Sequence, residues 1–192
     1  MSGPDRVTPI LPIRRACVPL DGRRVHLRPA VPADEAAFAA ILVDPTVHRW
    51  WQAADPDADA QELADRDDSV VVWAIEVGGT AIGIIQAHEE AEPRYRHAGI
   101  DIVLAASAQD SGLGSDAVRT VARWLIEARG HHRLTIDPAA SNERAIRAYS
   151  RVGFRPVGIM RRYEGDLDGS WHDGLLMDLL AGELRESEAS PR

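Results

Sequence analysis

The chain has 192 residues, of which 45% are hydrophobic and 27% are charged, as in an ordinary soluble globular protein. Thirty acidic residues against 22 basic ones give a formal net charge of −8, which argues against a general binder of nucleic acid or of anionic membranes and favours cationic partners. The single cysteine, Cys17, excludes an internal disulfide framework, and no apolar run approaches the ~20 residues that cross a bilayer. We expect a reduced, cytoplasmic protein.

Three regions of the chain differ in composition. Residues 1–20 are rich in proline and lack periodicity, so we expect a leader or an N-terminal extension there. Residues 21–182 hold the periodic segments and are predicted to form a single domain. Residues 183–192 are predicted to be a polar tail.

The N-terminal half of this domain is predicted to hold a strand, short helices and a hairpin. Phe38, Ile41 and Leu42 recur at helical spacing, and Gly78-Gly79 is typical of a tight turn between two strands. An acidic and aromatic loop is predicted over 89–96. The predicted elements are strand 25–29, helices 33–43, 48–51 and 61–65, and strands 69–77 and 80–87.

The C-terminal half alternates strands and helices. Gly130 and Gly153 each follow a helical pattern and are predicted to end it. The predicted elements are strand 99–105, helix 115–129, strand 133–137, helix 142–152, and strands 154–163 and 170–180. Because a strand, helix and strand in succession favour a right-handed crossover between parallel strands, we predict an α/β (α+β) fold with a mixed, twisted sheet of about seven strands and about four helices on its faces.

A glycine-containing segment, QDSGLGS at 109–115, lies between a predicted strand and an amphipathic helix. Glycines there let the chain turn tightly, so that backbone N–H groups and the helix N-terminus converge on an anion such as a pyrophosphate. The segment lacks the lysine of a nucleoside-triphosphate loop and the third glycine of a dinucleotide fingerprint. Taken alone, it predicts a plain loop with a helix cap as readily as an anion site.

A second motif, SNERAIRAYSRVGF at 141–154, follows about 30 residues after the first. Together the two motifs resemble the GCN5-related N-acetyltransferase (GNAT) superfamily, whose acetyl-CoA signature is Gln/Arg-x-x-Gly-x-Gly/Ala followed by a helix with Asn, Ala, Tyr and Gly-Phe. The resemblance covers about 99–154, and the order of elements fits from about 25 to 180. It implies a GNAT fold, in which a central pair of parallel strands splays apart.

The resemblance also implies which residues bind acetyl-CoA. Backbone groups of 109–115 would hold the pyrophosphate, the strand around Val103 and Leu104 would pair with the pantetheine arm, and Asn142 would contact that arm. Tyr149 would stand beside the sulfur, where a phenol of pKa ~10 can protonate a thiolate of pKa ~8.5; the alternative is a half-buried helix residue with an idle hydroxyl. The predicted cofactor-binding residues are Val103, Leu104, Gln109, Ser111, Gly112, Leu113, Gly114, Ser115, Asn142, Ala145 and Tyr149.

Within the superfamily, three short stretches resemble the aminoglycoside 6′-N-acetyltransferases: Trp50-Trp51, Gly99-Ile-Asp101, and Asp137-Pro138 before Ser141-Asn142. That resemblance implies that Asp101 orients and deprotonates the amine and that Asp137 binds another substrate amine. Aspartate is disfavoured in strands, and a buried carboxylate needs a partner such as a substrate ammonium. The alternatives are an exposed strand-start residue for Asp101 and a turn former for Asp137.

Further acidic residues would concentrate a polycationic acceptor, although charge runs are more often solvated faces. They are Glu89, Glu90 and Glu92 before the Asp101 strand, and Glu164, Asp166, Asp168 and Asp173 around the last turn. Trp50 and Trp51 would stack on a sugar or pack into the core. The predicted catalytic residues are Asp101 and Tyr149, and the predicted substrate-binding residues are Trp50, Trp51, Glu89, Asp101, Asp137 and Asp168.

The sequence therefore predicts an acetyl-CoA-dependent acetyltransferase for a primary amine of a cationic small molecule, above all the 6′-amine of an aminoglycoside, and hence a role in antibiotic resistance. N-terminal acetylation of ribosomal-type proteins, acylation of a lysine-like siderophore precursor, and non-catalytic sensing of acyl-CoA or antibiotic stay open. No metal is predicted, because the run of Asp55, Asp57 and Asp59 lacks the glycine and the final acid of a calcium loop. We expect a monomer or homodimer, with no nucleic-acid or membrane partner.

Overall fold

The computed structural model describes residues 12–51, 53–64 and 69–186, and the predicted leader up to residue 11, the end of the helix predicted to residue 65 and the tail beyond 186 lie outside them. The strands are β1 Leu20–Asp21, β2 His26–Pro29, β3 Val70–Val77, β4 Thr80–Glu90, β5 His97–Leu104, β6 Arg133–Ile136, β7 Arg155–Gly165 and β8 Trp171–Leu180. The α-helices are α1 Glu35–Leu42, α2 Pro45–His48, α3 Pro56–Ala64, α4 Leu113–Glu127 and α5 Glu143–Val152.

The predicted mixed sheet is confirmed, with eight strands in the order β1-β2-β3-β4-β5-β6-β8-β7. The elements on either side of the two motifs lie within two residues of their predicted bounds. The Gly78-Gly79 turn is confirmed as well, since both glycines have positive φ, at 60° and 79°. None of the helices in the described part of the chain has the length and apolar character that a membrane span requires.

Three local predictions need correction. The helix predicted at 61–65 begins at Pro56 in α3, because proline suits the first helical position. The short helix predicted at 48–51 lies earlier, in α2, because the Asp44 side chain caps it through the Thr46 N–H (2.8 Å) and Pro45 suits the first helical position; Trp50 and Trp51 follow it in a turn. The residues at the start of the predicted loop 89–96 instead prolong β4, because Glu89 and Glu90 pair with Ala98 and His97 of β5.

The described part of the predicted N-terminal extension lies against the sheet. Ile13 starts a short 3₁₀ turn and is only 2% exposed in the core. The carbonyl oxygen of Val18 accepts a hydrogen bond of 2.9 Å from the Trp73 indole N–H of β3. The Trp73 ring in turn meets the Trp124 ring of α4 edge to face, with centroids 5.3 Å apart. These contacts tie residues 13–18 to the centre of the fold.

The core consists of two apolar clusters on opposite faces of the sheet. Because successive strand residues point to opposite faces, Val71 and Trp73 join one cluster, whereas Val72 and Ala74 join the other. Helices α4 and α5 cover the first cluster, and α1 to α3 cover the second. The sheet is therefore held rigidly between two helical layers.

One irregularity in this sheet creates the site. Among the described residues, the parallel strands β5 and β6 pair only through Ala98 with Leu134 and Gly99 with Thr135. Beyond Gly99, β5 continues to Leu104 with no strand of the described sheet paired to it on that side, which confirms the splayed strand pair. A cleft opens where the two strands separate.

Candidate active site

Main-chain groups of β5 face this cleft. The Ala105 N–H donates to the Ile82 carbonyl oxygen (2.9 Å), which fixes the alternation of hydrogen bonding along the antiparallel β4–β5 ladder. Val103 therefore directs its peptide groups towards β4, whereas Ile102 and Leu104 direct theirs into the cleft. The prediction for Leu104 fits this geometry. Val103 lines the cleft but cannot pair with a bound arm through its peptide group, because that group belongs to the ladder.

A first cavity of about 370 Å³ lies between the end of β5, the start of α4 and one face of α5. The turn before α4 lines it with residues in unusual backbone conformations: Gly112 caps α4 in a left-handed conformation (φ 82°), and Asp110 also has positive φ (55°). The first turn of α4 leaves the N–H groups of Leu113, Gly114 and Ser115 without intrahelical acceptors. A Cβ on Gly114 would come within 3.1 Å of the Leu104 side chain, so the glycine lets α4 start close to β5. We name this cavity the donor cavity.

The side chains of three predicted cofactor-binding residues in this region are already engaged within the protein, so these residues can act only through their main chain or by supporting the cavity wall. The Ser111 hydroxyl donates to the Ala108 carbonyl oxygen (2.5 Å), and Leu113 is buried in the first core cluster. The Gln109 carboxamide donates to the Leu104 carbonyl oxygen (2.9 Å) and accepts from Arg144. Gln109 therefore joins the end of β5 to α5 and stiffens the wall of the donor cavity.

Helix α5 gives the donor cavity its positive charge. Arg144, Arg147 and Arg151 recur at three- and four-residue spacing and all line the cavity. Asn142, predicted as the first residue of the helix, is instead its cap, because its side-chain oxygen accepts the Ala145 N–H (3.1 Å). Both residues line the cavity, as does Ser115. The combination of helix N-terminus and arginines suits an extended anionic ligand.

A second cavity, of about 620 Å³, lies on the other side of the splayed strands, and we name it the acceptor cavity. It is lined by three carboxylates, Asp101, Asp137 and Glu164, and by the aromatic side chains of Trp50, Trp51, Tyr149 and Tyr163. The two cavities share the lining residues Trp50, Trp51, Ile102, Asn142, Ala145 and Tyr149. A cationic ligand in one and an anionic ligand in the other would therefore meet along Ile102 and Tyr149.

Asp101 faces the acceptor cavity from the middle of β5. Its carboxylate accepts a hydrogen bond of 2.9 Å from the Gln86 carboxamide on the neighbouring strand, and the His88 ring lies 3.9 Å away. Gly99 permits that position of the ring, because a Cβ there would come within 2.1 Å of the His88 ring. The side chain of Asp101 stays 32% exposed, so it is held in place but open to the cavity.

Gln86 is a residue of this wall that sequence reasoning missed. It is buried, and its side-chain oxygen has no hydrogen-bond partner among the described residues, while its nitrogen donates to Asp101. A buried acceptor without a donor is unfavourable, and Gln86 nevertheless keeps the orientation in which its nitrogen supports Asp101. The only sequence signal was a polar residue inside an otherwise apolar strand.

Asp137 follows β6 at the opposite side of the acceptor cavity and accepts a hydrogen bond from the Tyr163 hydroxyl. That hydrogen bond, with burial and the nearby negative charges, raises the pKa of Tyr163 to about 12. The hydroxyl therefore stays a neutral donor at physiological pH. Tyr163 was not predicted from the sequence, because the local pattern does not show that its ring faces the end of β6, where Asp137 lies.

Tyr149 of α5 stands where the two cavities meet. Its ring packs edge to face on Phe154, with centroids 6.4 Å apart. Burial raises the pKa of Tyr149 well above its ordinary value, and the negative charges of Asp101 and Asp137 raise it further, against an opposing effect of Arg144. The hydroxyl is thus protonated and electrostatically coupled to both carboxylates.

The two tryptophans form one side of both cavities. Trp51 also packs against the second core cluster, which agrees with the core role considered for it, while its stacking on a sugar stays a prediction. The Arg49 guanidinium lies 4.4 Å from the centre of the Trp50 ring, which leaves its opposite face for any ligand that stacks.

Two predicted substrate-binding acids are not brought to the acceptor cavity. Because β4 extends through Glu90, its two-residue period turns Glu89 to the sheet face opposite Gln86. There Glu89 accepts hydrogen bonds of 2.7 Å from both Arg129 and His131; these bonds outweigh its burial and lower the pKa of Glu89 to about 2. Asp168 lies in the exposed β7–β8 turn, where it accepts the Ser170 N–H (2.8 Å).

Comparisons with known proteins identify the family of the chain. The family model described as acetyltransferase (GNAT) domain matches residues 24–155. The aminoglycoside N(6′)-acetyltransferase type 1 of Klebsiella pneumoniae is 32% identical over 162 residues, which span 73% of this chain and 79% of that protein.

Among solved structures, AAC(6′)-Ib in complex with paromomycin and acetyl-CoA superposes with a TM-score of 0.70 at 29% identity, over 86% of this chain and 99% of that one. Mycobacterium smegmatis RimJ in complex with CoA-disulfide, at 24% identity, shares the fold with a TM-score of 0.74, over 88% of this chain and 89% of that one. The chain therefore belongs to the GNAT family of acetyltransferases.

Proposed function

We propose that this acetyltransferase uses acetyl-CoA to acetylate a primary amine of a polycationic small molecule, the 6′-amine of an aminoglycoside. The observation that carries the proposal is the meeting of two oppositely charged cavities at Ile102 and Tyr149. One is lined by arginines and by N–H groups at the start of a helix, and the other by carboxylates and aromatic rings. The similarity to enzymes that are named for this activity supports the same choice of acceptor.

The donor cavity has the groups that coenzyme A requires. The N–H groups at the start of α4 would hold the pyrophosphate, the peptide groups of Ile102 and Leu104 would bind the pantetheine arm as a neighbouring strand does, and the arginines of α5 would neutralise phosphate charge. When bound, acetyl-CoA supplies an acetyl group activated as a thioester. Holding that group against the amine would supply much of the rate, because positioning can contribute ~7–11 kcal/mol.

Asp101 would take the proton that the arriving ammonium must lose before its nitrogen can attack a carbonyl carbon. Gln86 assists through its side-chain nitrogen, which holds the carboxylate in place (2.9 Å). The Asp101 side chain is open to the cavity, so it can act directly or through a water molecule.

Tyr149 would return a proton on the sulfur side. Its raised pKa keeps the hydroxyl protonated before substrates bind, and part of the cause is the negative charge of Asp101 and Asp137. Ammonium groups that settle on these carboxylates would offset that charge and lower the pKa of Tyr149. Tyr149 would thus become a stronger acid once the acceptor is bound. Its hydroxyl proton would then be released to the sulfur mainly when both substrates are present.

A thiol-release assay tests the proposal with two related aminoglycosides. Ribostamycin carries a 6′-amine, whereas paromomycin carries a 6′-hydroxyl and keeps its other amines. We expect release of free coenzyme A with ribostamycin and little or none with paromomycin. Equal rates would exclude the 6′-amine as the acceptor. Release only with N-terminal peptides or lysine-like amines would replace the proposed acceptor class, and coenzyme A binding without any release would indicate a sensor.

A further inference from the structure

We propose that Tyr163 is a positioning residue, which orients the Asp137 carboxylate for the second amine of the acceptor and thereby favours acceptors with more than one amine. The inference rests on the proposed function, since it concerns the acceptor of the same reaction. The evidence for it is the conformation of the β7–β8 hairpin.

A wide bulge in β7 turns Tyr163 towards the cavity. Met160 pairs with Gly174 and Glu164 pairs with His172, so residues 161–163 of β7 face a single residue of β8. Within the bulge Arg162 has a φ of 49°, an uncommon value for a residue with a side chain. Its N–H donates to the Asp173 carboxylate (2.8 Å), which stabilises this conformation. β-Bulges next to an active site often change the direction of a side chain.

Gly174 leaves room for the ring that the bulge presents. A Cβ at this position would lie only 2.9 Å from the Tyr163 ring and 3.1 Å from the end of the Met160 side chain. The ring therefore rests directly on the β8 main chain. From this position its hydroxyl donates to Asp137.

The loop that carries Asp137 is anchored at the same place on β8. The Ala140 N–H donates to the Asp173 carbonyl oxygen (2.7 Å), and the Leu175 N–H donates to the Pro138 carbonyl oxygen (2.8 Å). Tyr163 and Asp137 are thus held by residues 173–175 alike, and the geometry of the pair is fixed before any ligand binds. Fixed geometry of this kind is what a specific ligand contact requires.

The charge of the pair points to an ammonium. Tyr163 orients the Asp137 carboxylate through a neutral donor, so the negative charge is retained. Within the described residues Asp137 has no salt bridge to an arginine or histidine. Glu164, the next residue after the bulge, lines the same cavity. Asp101 lies on a different strand and is held by Gln86, so the acceptor cavity offers carboxylates from two separate elements.

The first test compares Tyr163→Phe with Tyr95→Phe. Tyr95 is a matched control, because it is 69% exposed in the turn before β5 and lines neither cavity. We expect Tyr163→Phe to raise KM for ribostamycin about three- to tenfold, with kcat and KM for acetyl-CoA nearly unchanged. This is the size of the net contribution of one ordinary hydrogen bond, because the ammonium keeps its contact with Asp137 and only the orientation of the carboxylate is lost. For 6-amino-6-deoxyglucose, which has a single amine, the change should stay below about twofold.

A double-mutant cycle with Asp137→Asn shows whether Tyr163 acts through Asp137. If it does, adding Tyr163→Phe to Asp137→Asn causes no further rise in KM for ribostamycin. Additive effects, an unchanged KM, or a lowered KM in Tyr163→Phe would each overturn the inference, the last because it would mean that the hydroxyl competes with substrate.

Calorimetric titration of ribostamycin without acetyl-CoA separates this inference from the proposed function. Weaker binding to Tyr163→Phe than to the unmodified protein, without any thiol release, would retain the positioning role of Tyr163 and refute the activity. Thiol release that is indifferent to Tyr163 would retain the activity and refute the inference. Absence of both binding and release would refute both.

Discussion

The donor and acceptor cavities adjoin each other but are built in different ways. The donor cavity is formed mainly by the stretch of chain around the β5–α4 turn, with α5 on one side and Val47, Trp50 and Trp51 on another. The groups that it offers to an anion at the start of α4 are main-chain N–H groups. The acceptor cavity draws side chains from β4, β5, β7, α5 and the turns after α2 and β6. A main-chain site depends on backbone conformation, and a side-chain site depends on which residue each element turns inwards. Substitutions should therefore affect the two cavities by different mechanisms.

The largest effect is expected for Asp101→Asn in the acceptor cavity. The amide can still accept the Gln86 hydrogen bond, but it cannot take a proton, so kcat/KM for ribostamycin should fall about 10²- to 10⁴-fold. The affinity for coenzyme A, measured by calorimetry, should stay unchanged. Asp57→Asn on the exposed start of α3 removes the same charge and should leave kcat/KM within about twofold. A loss below tenfold in Asp101→Asn would remove Asp101 from proton transfer.

Tyr149→Phe tests the boundary between the cavities. The ring keeps its packing on Phe154, but the hydroxyl proton is lost, so kcat should fall about 10²-fold while the dissociation constant of coenzyme A changes little. Steady-state kinetics together with calorimetry separates the two quantities. A parallel loss of turnover and coenzyme A affinity would show that Tyr149 holds the donor and does not serve as an acid.

Gly112→Ala perturbs the donor cavity through the backbone alone. An alanine at φ 82° is disfavoured by ~1–2 kcal/mol, so the turn should move and its N–H groups should lose their alignment. We expect the dissociation constant of coenzyme A to rise about tenfold, which corresponds to ~1.4 kcal/mol. Gly130→Ala is the control, because Gly130 also has a positive φ (69°) but lies outside both cavities. Equal losses of affinity in both variants would indicate general destabilisation.

Glu89→Gln should affect stability and leave acceptor binding unchanged. Removing one partner of this nearly buried ion pair should lower the free energy of unfolding by about 3 kcal/mol at neutral pH, whereas the exposed Glu90→Gln should cost less than about 0.5 kcal/mol. Since the pKa of Glu89 is about 2 in the fold against an ordinary 4.5, its contribution is present above pH 4.5 and is lost as the pH falls through 2.

Chemical unfolding followed across that pH range measures the contribution directly. The unmodified protein should lose stability more steeply than Glu89→Gln between pH 4.5 and 2. A raised KM for ribostamycin in Glu89→Gln, with stability unchanged, would place Glu89 at the substrate and contradict its position on the opposite face of the sheet.

The sequence predictions were more accurate for the donor cavity than for the acceptor cavity. The segment 109–115 and the helix after Asn142 could be located from spacing, because a turn, a cap and the following helix are set by neighbouring residues. Asp101 and Asp137 reach the acceptor cavity, where the resemblance to related enzymes had placed them. Glu89 was misplaced because β4 runs three residues further than predicted, through 88–90, which fixes the sheet face that Glu89 occupies. Hydrophobic patterning does not define where such a strand ends.

The amino-acid sequence by itself determined the order of elements, the main-chain cradle at the start of α4 and the family to which the chain belongs. Tertiary structure alone decided that Gln86 supports Asp101, that a bulge brings Tyr163 to Asp137, and that Glu89 binds Arg129 and His131. The physical reason is the range of the interactions involved. Turns and caps are stabilised by neighbours along the chain, whereas a side chain in a sheet points to one face or the other according to register and bulges, which depend on distant strands.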